Sequence, residues 1–192
     1  MFDRKFWDSV LRDGAILGIV MALSRTFENW LIVSSTIKVS SAMTLLVLEM
    51  ILVCVLFVWL LYRFAKRRSL SVDPRDGFPY GYALTYIFVV SVLTGILVGL
   101  ANTLYIAVVG FSGYTNGLID FVARFFDHLA SLDTTGALRG TEEAVETLRE
   151  SLESQPTPTV FQNILGSLNN YIISGTVVGL IVARIVRRNP EF

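Results

Sequence analysis

Four apolar runs separated by polar connections dominate the chain, at residues 11–33, 42–64, 82–109 and 161–184. A helix rising 1.5 Å per residue needs about twenty such residues to cross a hydrocarbon core of roughly 30 Å. From Ala42 to Tyr62 the only charge is Glu49, the third run has none, and the fourth has none before Arg184. The first run is interrupted by Arg12, Asp13, Arg25 and Glu28, so it needs a partner helix to tolerate them. It can also be read as a signal peptide, with Ala22-Leu23-Ser24 as a cleavage site. Against that, Asp3, Asp8 and Asp13 offset Arg4, Lys5 and Arg12 where a basic n-region belongs. The pattern predicts an all-α fold: a single integral membrane domain built as a four-span transmembrane helical bundle.

The connection at residues 110–160 is the only sizeable part outside the spans. Leu118, Phe121, Val122, Phe125, Leu129 and Leu132 recur at i, i+3 and i+4, with Asp120, Arg124, Asp127, His128 and Ser131 between them. That spacing predicts an amphipathic helix, lying on the membrane or packed on its own protein. Asp133-Thr134-Thr135-Gly136 reads as a turn. Thr141 then caps a second helix with Glu142 and Glu143 at its positive end and Ala144, Val145, Leu148 and Leu152 as its apolar stripe. Pro156 and Pro158 end it. Residues 120–153 carry eight acids and three arginines, either a solvated face or one that attracts cations or a basic partner.

Composition narrows the class further. The 192 residues are 53% hydrophobic and only 17% charged, against about 25% in an ordinary soluble domain. The net charge of zero argues against nucleic acid as a partner. One cysteine, Cys54, excludes an internal disulfide and reads as a small packing residue. One histidine, His128, excludes a His-pair metal site, and no cofactor is expected. Basic residues set an orientation. Arg4, Lys5 and Arg12 flank the first span, Arg63, Lys66, Arg67, Arg68 and Arg75 follow the second, and Arg184, Arg187 and Arg188 follow the fourth. By the positive-inside rule both termini and the basic loop are cytoplasmic, and residues 110–160 are extracytoplasmic. The cluster Arg63, Lys66, Arg67 and Arg68 is thus mainly a topology determinant that can also touch anionic headgroups. Trp7, Trp30, Tyr62, Tyr80 and Tyr82 fall at the expected aromatic belts.

Several stretches read together. Gly77-Phe78-Pro79-Tyr80-Gly81-Tyr82-Ala83 opens the third span, and Gly95-Ile96-Leu97-Val98-Gly99 and Asn102 to Tyr105 follow. A Gly-Thr-Glu-Glu helix start at Gly140 precedes a proline-containing link. Gly175-Thr176-Val177-Val178-Gly179 then runs through Ala183 into Arg187-Arg188-Asn189-Pro190. This order resembles the bacterial membrane family called domain of unknown function 4199. The resemblance covers almost the whole chain. It implies a four-span inner-membrane protein and no established activity.

Two constellations stand out as sites. Gly14 and Gly18, Gly95 and Gly99, and Gly175 and Gly179 are small-residue pairs four apart, which let helix backbones approach within the chain or across a homo-oligomer face. The second is a polar layer of Arg25, Glu28, Glu49, Asn102, Asn169 and Asn170, with Tyr171 at the same depth. Charges at membrane depth are expensive and must be paired or face something polar. The short loop after the first span puts Arg25 and Glu49 at similar depth, and i, i+3 spacing puts Arg25 near Glu28, so Arg25 is expected to pair with one or both. Such a layer is a solute, proton or ion site, a clasp that fixes helix register, or charges at the headgroups of a tilted span. Enzyme motifs are absent: there is no G-x-S-x-G, H-E-x-x-H or P-loop, and no histidine in register with Ser34, Ser35, Ser40 or Ser41. The expected role is a non-catalytic structural or accessory membrane component, with the lipid bilayer and a protein partner or second copy as its contacts. The alternative is a small transporter or channel-like subunit that uses the polar layer.

Overall fold

The computed structural model describes residues 4–34, 36–132 and 141–190, and for residues 141 and 142 the backbone alone. These residues form six helices: α1 (Arg4–Val33), α2 (Val39–Ser71), α3 (Tyr80–Val109), α4 (Phe111–Leu132), α5 (Thr141–Glu153) and α6 (Val160–Val186). Helices α1, α2, α3 and α6 are long and apolar enough to cross a membrane, which makes the chain a multi-pass membrane protein in a lipid environment. The expected turn at residues 133–136 and the Thr141 side-chain cap lie outside the described residues.

The long helices overrun the apolar runs that predict them. α1 starts at Arg4 rather than at residue 11, and α2 continues past residue 64 to Ser71. The extra turns stay helical because they pack: Phe6 and Ser69 are both buried. α4 starts at Phe111 instead of Leu118, directly after Gly110, whose φ of 83° turns the chain out of α3. Thr159 and Gln162 form a reciprocal capping box at the start of α6, where the Thr159 amide donates to Gln162 Oε1 at 2.8 Å and the Gln162 amide to Thr159 Oγ1 at 3.2 Å.

α3 lies at the centre, flanked along its length by α1 and α6, while α2 packs less extensively on α1 and α6. Small residues decide how close the helices come. A Cβ on Gly95 would sit 2.8 Å from the Leu168 Cα, and one on Gly99 would sit 2.5 Å from the Ile164 Cα, so α3 meets the backbone of α6 at both positions. Gly175 faces Ser91, and Gly179 faces Leu84 and Ile87. On the opposite side, Gly14 and Gly18 of α1 receive the side chains of Leu93 and Leu97. The pairings ascend together between α1 and α3, which are parallel, and run in opposite senses between α3 and α6, which are antiparallel.

At the end of the bundle where α1 begins and α6 finishes (the terminal end), Phe6 and Phe78 each lie edge-on to Tyr82, with ring centroids 5.2 and 5.1 Å away. Tyr82 is therefore buried in this cluster and does not serve as the belt residue expected of it. Phe78 and Arg188 exchange two backbone hydrogen bonds of 2.9 Å, pinning the chain after α6 to the α2–α3 loop. Gly77, at φ 65°, allows the close approach, because a Cβ there would lie 2.7 Å from the Pro190 nitrogen. At the other end α4 covers the α1–α2 loop, and Arg124 donates to the Ile37 carbonyl at 3.2 Å. Among the described residues α5 packs on α4 alone.

Candidate functional site

A cleft of about 1160 Å³ opens between α2 and α6 in the half of the bundle nearer α4. α1 and α3 form its floor. Polar groups reach it from all four long helices: Ser24, Arg25 and Glu28 from α1, Glu49 from α2, Asn102 from α3, and Gln162, Asn163, Asn169 and Asn170 from α6. α2 and α6 touch edge-to-face at Phe57 and Tyr171, ring centroids 5.7 Å apart, and through a Ser69 hydroxyl bond of 2.8 Å to the Val186 carbonyl nearer the terminal end. Between these helices the remainder of the facing walls stays uncovered, and Val47, Met50 and Ile173 on them are exposed.

Within the cleft the polar groups fall into two sets. Arg25 Nη1 donates to Glu28 Oε2 at 2.6 Å along one face of α1. Glu49 accepts instead from the Ser24 hydroxyl, and among the described residues no cation lies within ion-pair distance of it. Of the two partners expected for Arg25, the structure thus joins Glu28 and not Glu49. The i, i+3 geometry on one helix is fulfilled without any adjustment of α2, and Ser24, one residue before Arg25, is the α1 group that meets Glu49. The second set is an amide chain. Asn29 Nδ2 donates to Asn102 Oδ1 at 2.9 Å, Asn102 Nδ2 to Asn163 Oδ1 at 3.2 Å, and Asn163 Nδ2 to the Thr103 hydroxyl at 3.2 Å. It links α1, α3 and α6 across the floor. Asn169 and Asn170 line the cleft from α6 but are exposed and outside this chain. Cys54 also lines the cleft and is exposed, not packed as its apolar neighbours suggested, because it sits on the α2 face that α6 leaves uncovered.

A separate charged cluster occupies the terminal end. Asp13 is only 1% exposed, and its carboxylate accepts from Arg12 Nε at 3.1 Å, from Arg67 and from the Tyr86 hydroxyl. Arg68 donates to the Tyr82 hydroxyl at 2.9 Å. Arg188 donates to the carbonyls of Ser69 at 2.5 Å and Val72 at 2.9 Å. Of the basic cluster in the sequence, Arg68 is buried in the bundle, and Arg67 reaches Asp13 while staying half-exposed. Arg63 and Lys66 stay exposed, over the rings of Trp59 and Tyr62 at 5.1 and 5.5 Å.

Sequence reasoning missed Asn29, Asn163, Ser24 and the Asp13–Tyr86 contact. Asn29 and Asn102 belong to helices that are not consecutive, so loop length says nothing about their pairing. Asp13 reads in the sequence as a flaw in a span. Depth matching was the available signal: Asp13, Arg67, Tyr82 and Tyr86 all lie within a few turns of the terminal end. Among the described residues no group of three or more histidine, cysteine, aspartate or glutamate side chains is arranged to hold a metal ion. The sequence profile of a family described as "Protein of unknown function (DUF4199)" matches residues 12–188. No curated protein and no solved structure matches the chain.

Proposed function

The chain belongs to the DUF4199 family, and within it we propose that this protein is a non-catalytic accessory component of the membrane, whose α2–α6 cleft receives a transmembrane helix of a partner protein. The observation that carries this reading is Glu49, a carboxylate on the open wall of an intramembrane cleft whose one bond among the described residues is to Ser24. Uncovered charge at membrane depth costs about 2.5–3.5 kcal/mol on insertion scales. An incoming helix with a cation or hydroxyl donor at that level offsets the cost. A helix about 10 Å across fills on the order of 120 Å³ per residue. The cleft of 1160 Å³ therefore admits about ten residues, or roughly three turns. The basic residues at the terminal end place both termini in the cytoplasm of a bacterial inner membrane in this reading, with α4 and α5 on the outer side.

A photo-crosslinking residue at position 173, on the α6 wall, tests the proposal in native membranes. The expected product is one discrete protein adduct that is lost when Glu49→Leu is added. Adducts to lipid alone overturn the proposal. A second reading, a small transporter or channel-like subunit, is favoured by the convergence of polar side chains from four helices on one cavity. Cys54 separates the two, because a charged thiol reagent reacts only with a thiol in water. Rapid labelling of Cys54 in the parent protein favours a water-filled solute path, and protection favours a covered helix site.

A further inference from the structure

A second cavity, about 460 Å³, lies between α1 and α2 at the terminal end. Its described lining carries four cations, Lys5, Arg12, Arg67 and Arg68, against two carboxylates, Asp8 and Asp13. Arg12 and Arg67 both donate to Oδ1 of Asp13, so two guanidinium groups share one buried carboxylate. Asp13 is saturated by these donors and by Tyr86, yet Arg12 and Arg67 remain 56% and 50% exposed at the cavity. Each keeps donors directed away from Asp13, since a guanidinium has five N–H groups. Lys5 makes no ion pair among the described residues and lies on the same wall. The Ser9 and Ser71 hydroxyls line it too, although each donates to a backbone carbonyl. The site is anchored from behind, because Asp13 fixes both guanidiniums in place before any ligand arrives. Its level is that of the headgroups: α2 turns from apolar to basic here, and Trp7 and Trp59 are half-exposed nearby in the chain.

We propose that this groove binds the phosphate group of an anionic phospholipid, with Arg12, Arg67 and Lys5 as its donors. The charge balance of the lining is positive by two, which suits a phosphodiester and disfavours a zwitterionic headgroup that brings its own cation. Paired guanidiniums match phosphate oxygens in geometry as well as in charge. A soluble phosphate presents the same oxygens, so the source of the group must be separated by experiment.

Native mass spectrometry of the full-length protein, titrated with phosphatidylglycerol or phosphatidylcholine, makes the test. The expected result is preferential retention of phosphatidylglycerol. Each basic residue near a membrane surface contributes about a fivefold factor in affinity for anionic lipid. Lys5→Gln therefore weakens phosphatidylglycerol binding about fivefold, and Lys5→Gln with Arg12→Gln about twenty-five-fold. Asp13 keeps Arg67 and Tyr86 in both variants, and among the described residues the Lys5 side chain makes no hydrogen bond for Lys5→Gln to remove. Lys38→Gln, at the opposite end of α2 and far from the groove, leaves binding unchanged. Loss of phosphatidylglycerol on adding millimolar inorganic phosphate assigns the site to a soluble phosphate source, and its persistence assigns it to lipid. Equal retention of the two lipids, or a loss in the Lys38 control equal to that in Lys5→Gln, overturns the proposal.

Discussion

The Tyr86 hydroxyl of α3 donates to Asp13 of α1, on the side of the carboxylate that Arg12 and Arg67 leave open. Three helices are thereby joined through one buried acid. Burying a carboxylate is tolerable only when its oxygens are satisfied. Asp13→Leu leaves the buried Tyr86 hydroxyl without its acceptor, while the half-exposed Arg12 and Arg67 can turn to water, and is expected to cost about 1–3 kcal/mol. Tyr86→Phe removes a single donor to a charged group and is expected to cost about 1.5–3 kcal/mol. Unfolding in mixed detergent micelles measures both, and a Tyr86→Phe variant as stable as the parent would show that the bond contributes nothing.

Glycine substitutions should rank by what each new methyl group meets. Gly99→Ala drives a Cβ into the α6 backbone at Ile164, which cannot step aside, and overpacking of this kind costs about 1–3 kcal/mol. Gly179→Ala meets the ends of the Leu84 and Ile87 side chains, 3.1 and 3.3 Å away, which can give by a few tenths of an ångström, so a smaller loss is expected. Gly166→Ala meets nothing within 4 Å and should be neutral or slightly stabilising. Heat-induced aggregation in detergent gives the order, and a variant at Gly166 as damaged as one at Gly99 contradicts the packing described above.

In the cleft, Arg25 and Glu28 should couple while Arg25 and Glu49 should not. Double-mutant cycles to leucine read this directly. The expected interaction is a few tenths of a kcal/mol or more for Arg25 with Glu28. For Arg25 with Glu49 the effects should add within about 0.5 kcal/mol. A larger coupling in the second cycle would mean that the arginine swings across to α2.

Orientation is accessible to labelling. In a Cys54→Ala background, a cysteine at Ser131 should react with an impermeant thiol reagent in intact spheroplasts, and one at Asp76 should react only after lysis. Both positions are exposed. The reverse pattern would invert the topology proposed from the basic residues.

Much of the architecture was legible from the chain because spans and amphipathic periodicity are local properties. The runs at 82–109 and 161–184 foretell α3 and α6 within two residues at each end. The stripe from Leu118 to Leu132 identifies α4, although its first turns, Phe111 to Gly117, show no such periodicity. Helix neighbours are another matter. A short loop suggests that α1 and α2 pair, yet the main partner of α1 is α3, and that choice rests on Gly14 and Gly18 fitting Leu93 and Leu97. Spacing alone could nominate the glycines but not tell backbone contact, as at Gly95, from side-chain contact, as at Gly179. The polar layer was half visible for the same reason. Arg25 with Glu28 is local, whereas the amide chain from Asn29 to Asn163 depends on three helices meeting.

The place of α6 against the glycine face of α3 also governs how the protein is made. Synthesis proceeds from the amino terminus, so α1, α2 and α3 enter the membrane before α6 has left the ribosome. During that interval Gly95 and Gly99 have no helix to receive, Asn102 lacks its Asn163 partner, and the Phe78 backbone awaits Arg188. The three-helix intermediate is therefore a half-assembled object with a bare polar seam, the kind of surface that membrane quality-control proteases and insertases can engage. Arrival of the last helix supplies the partner for each of these groups and closes that seam.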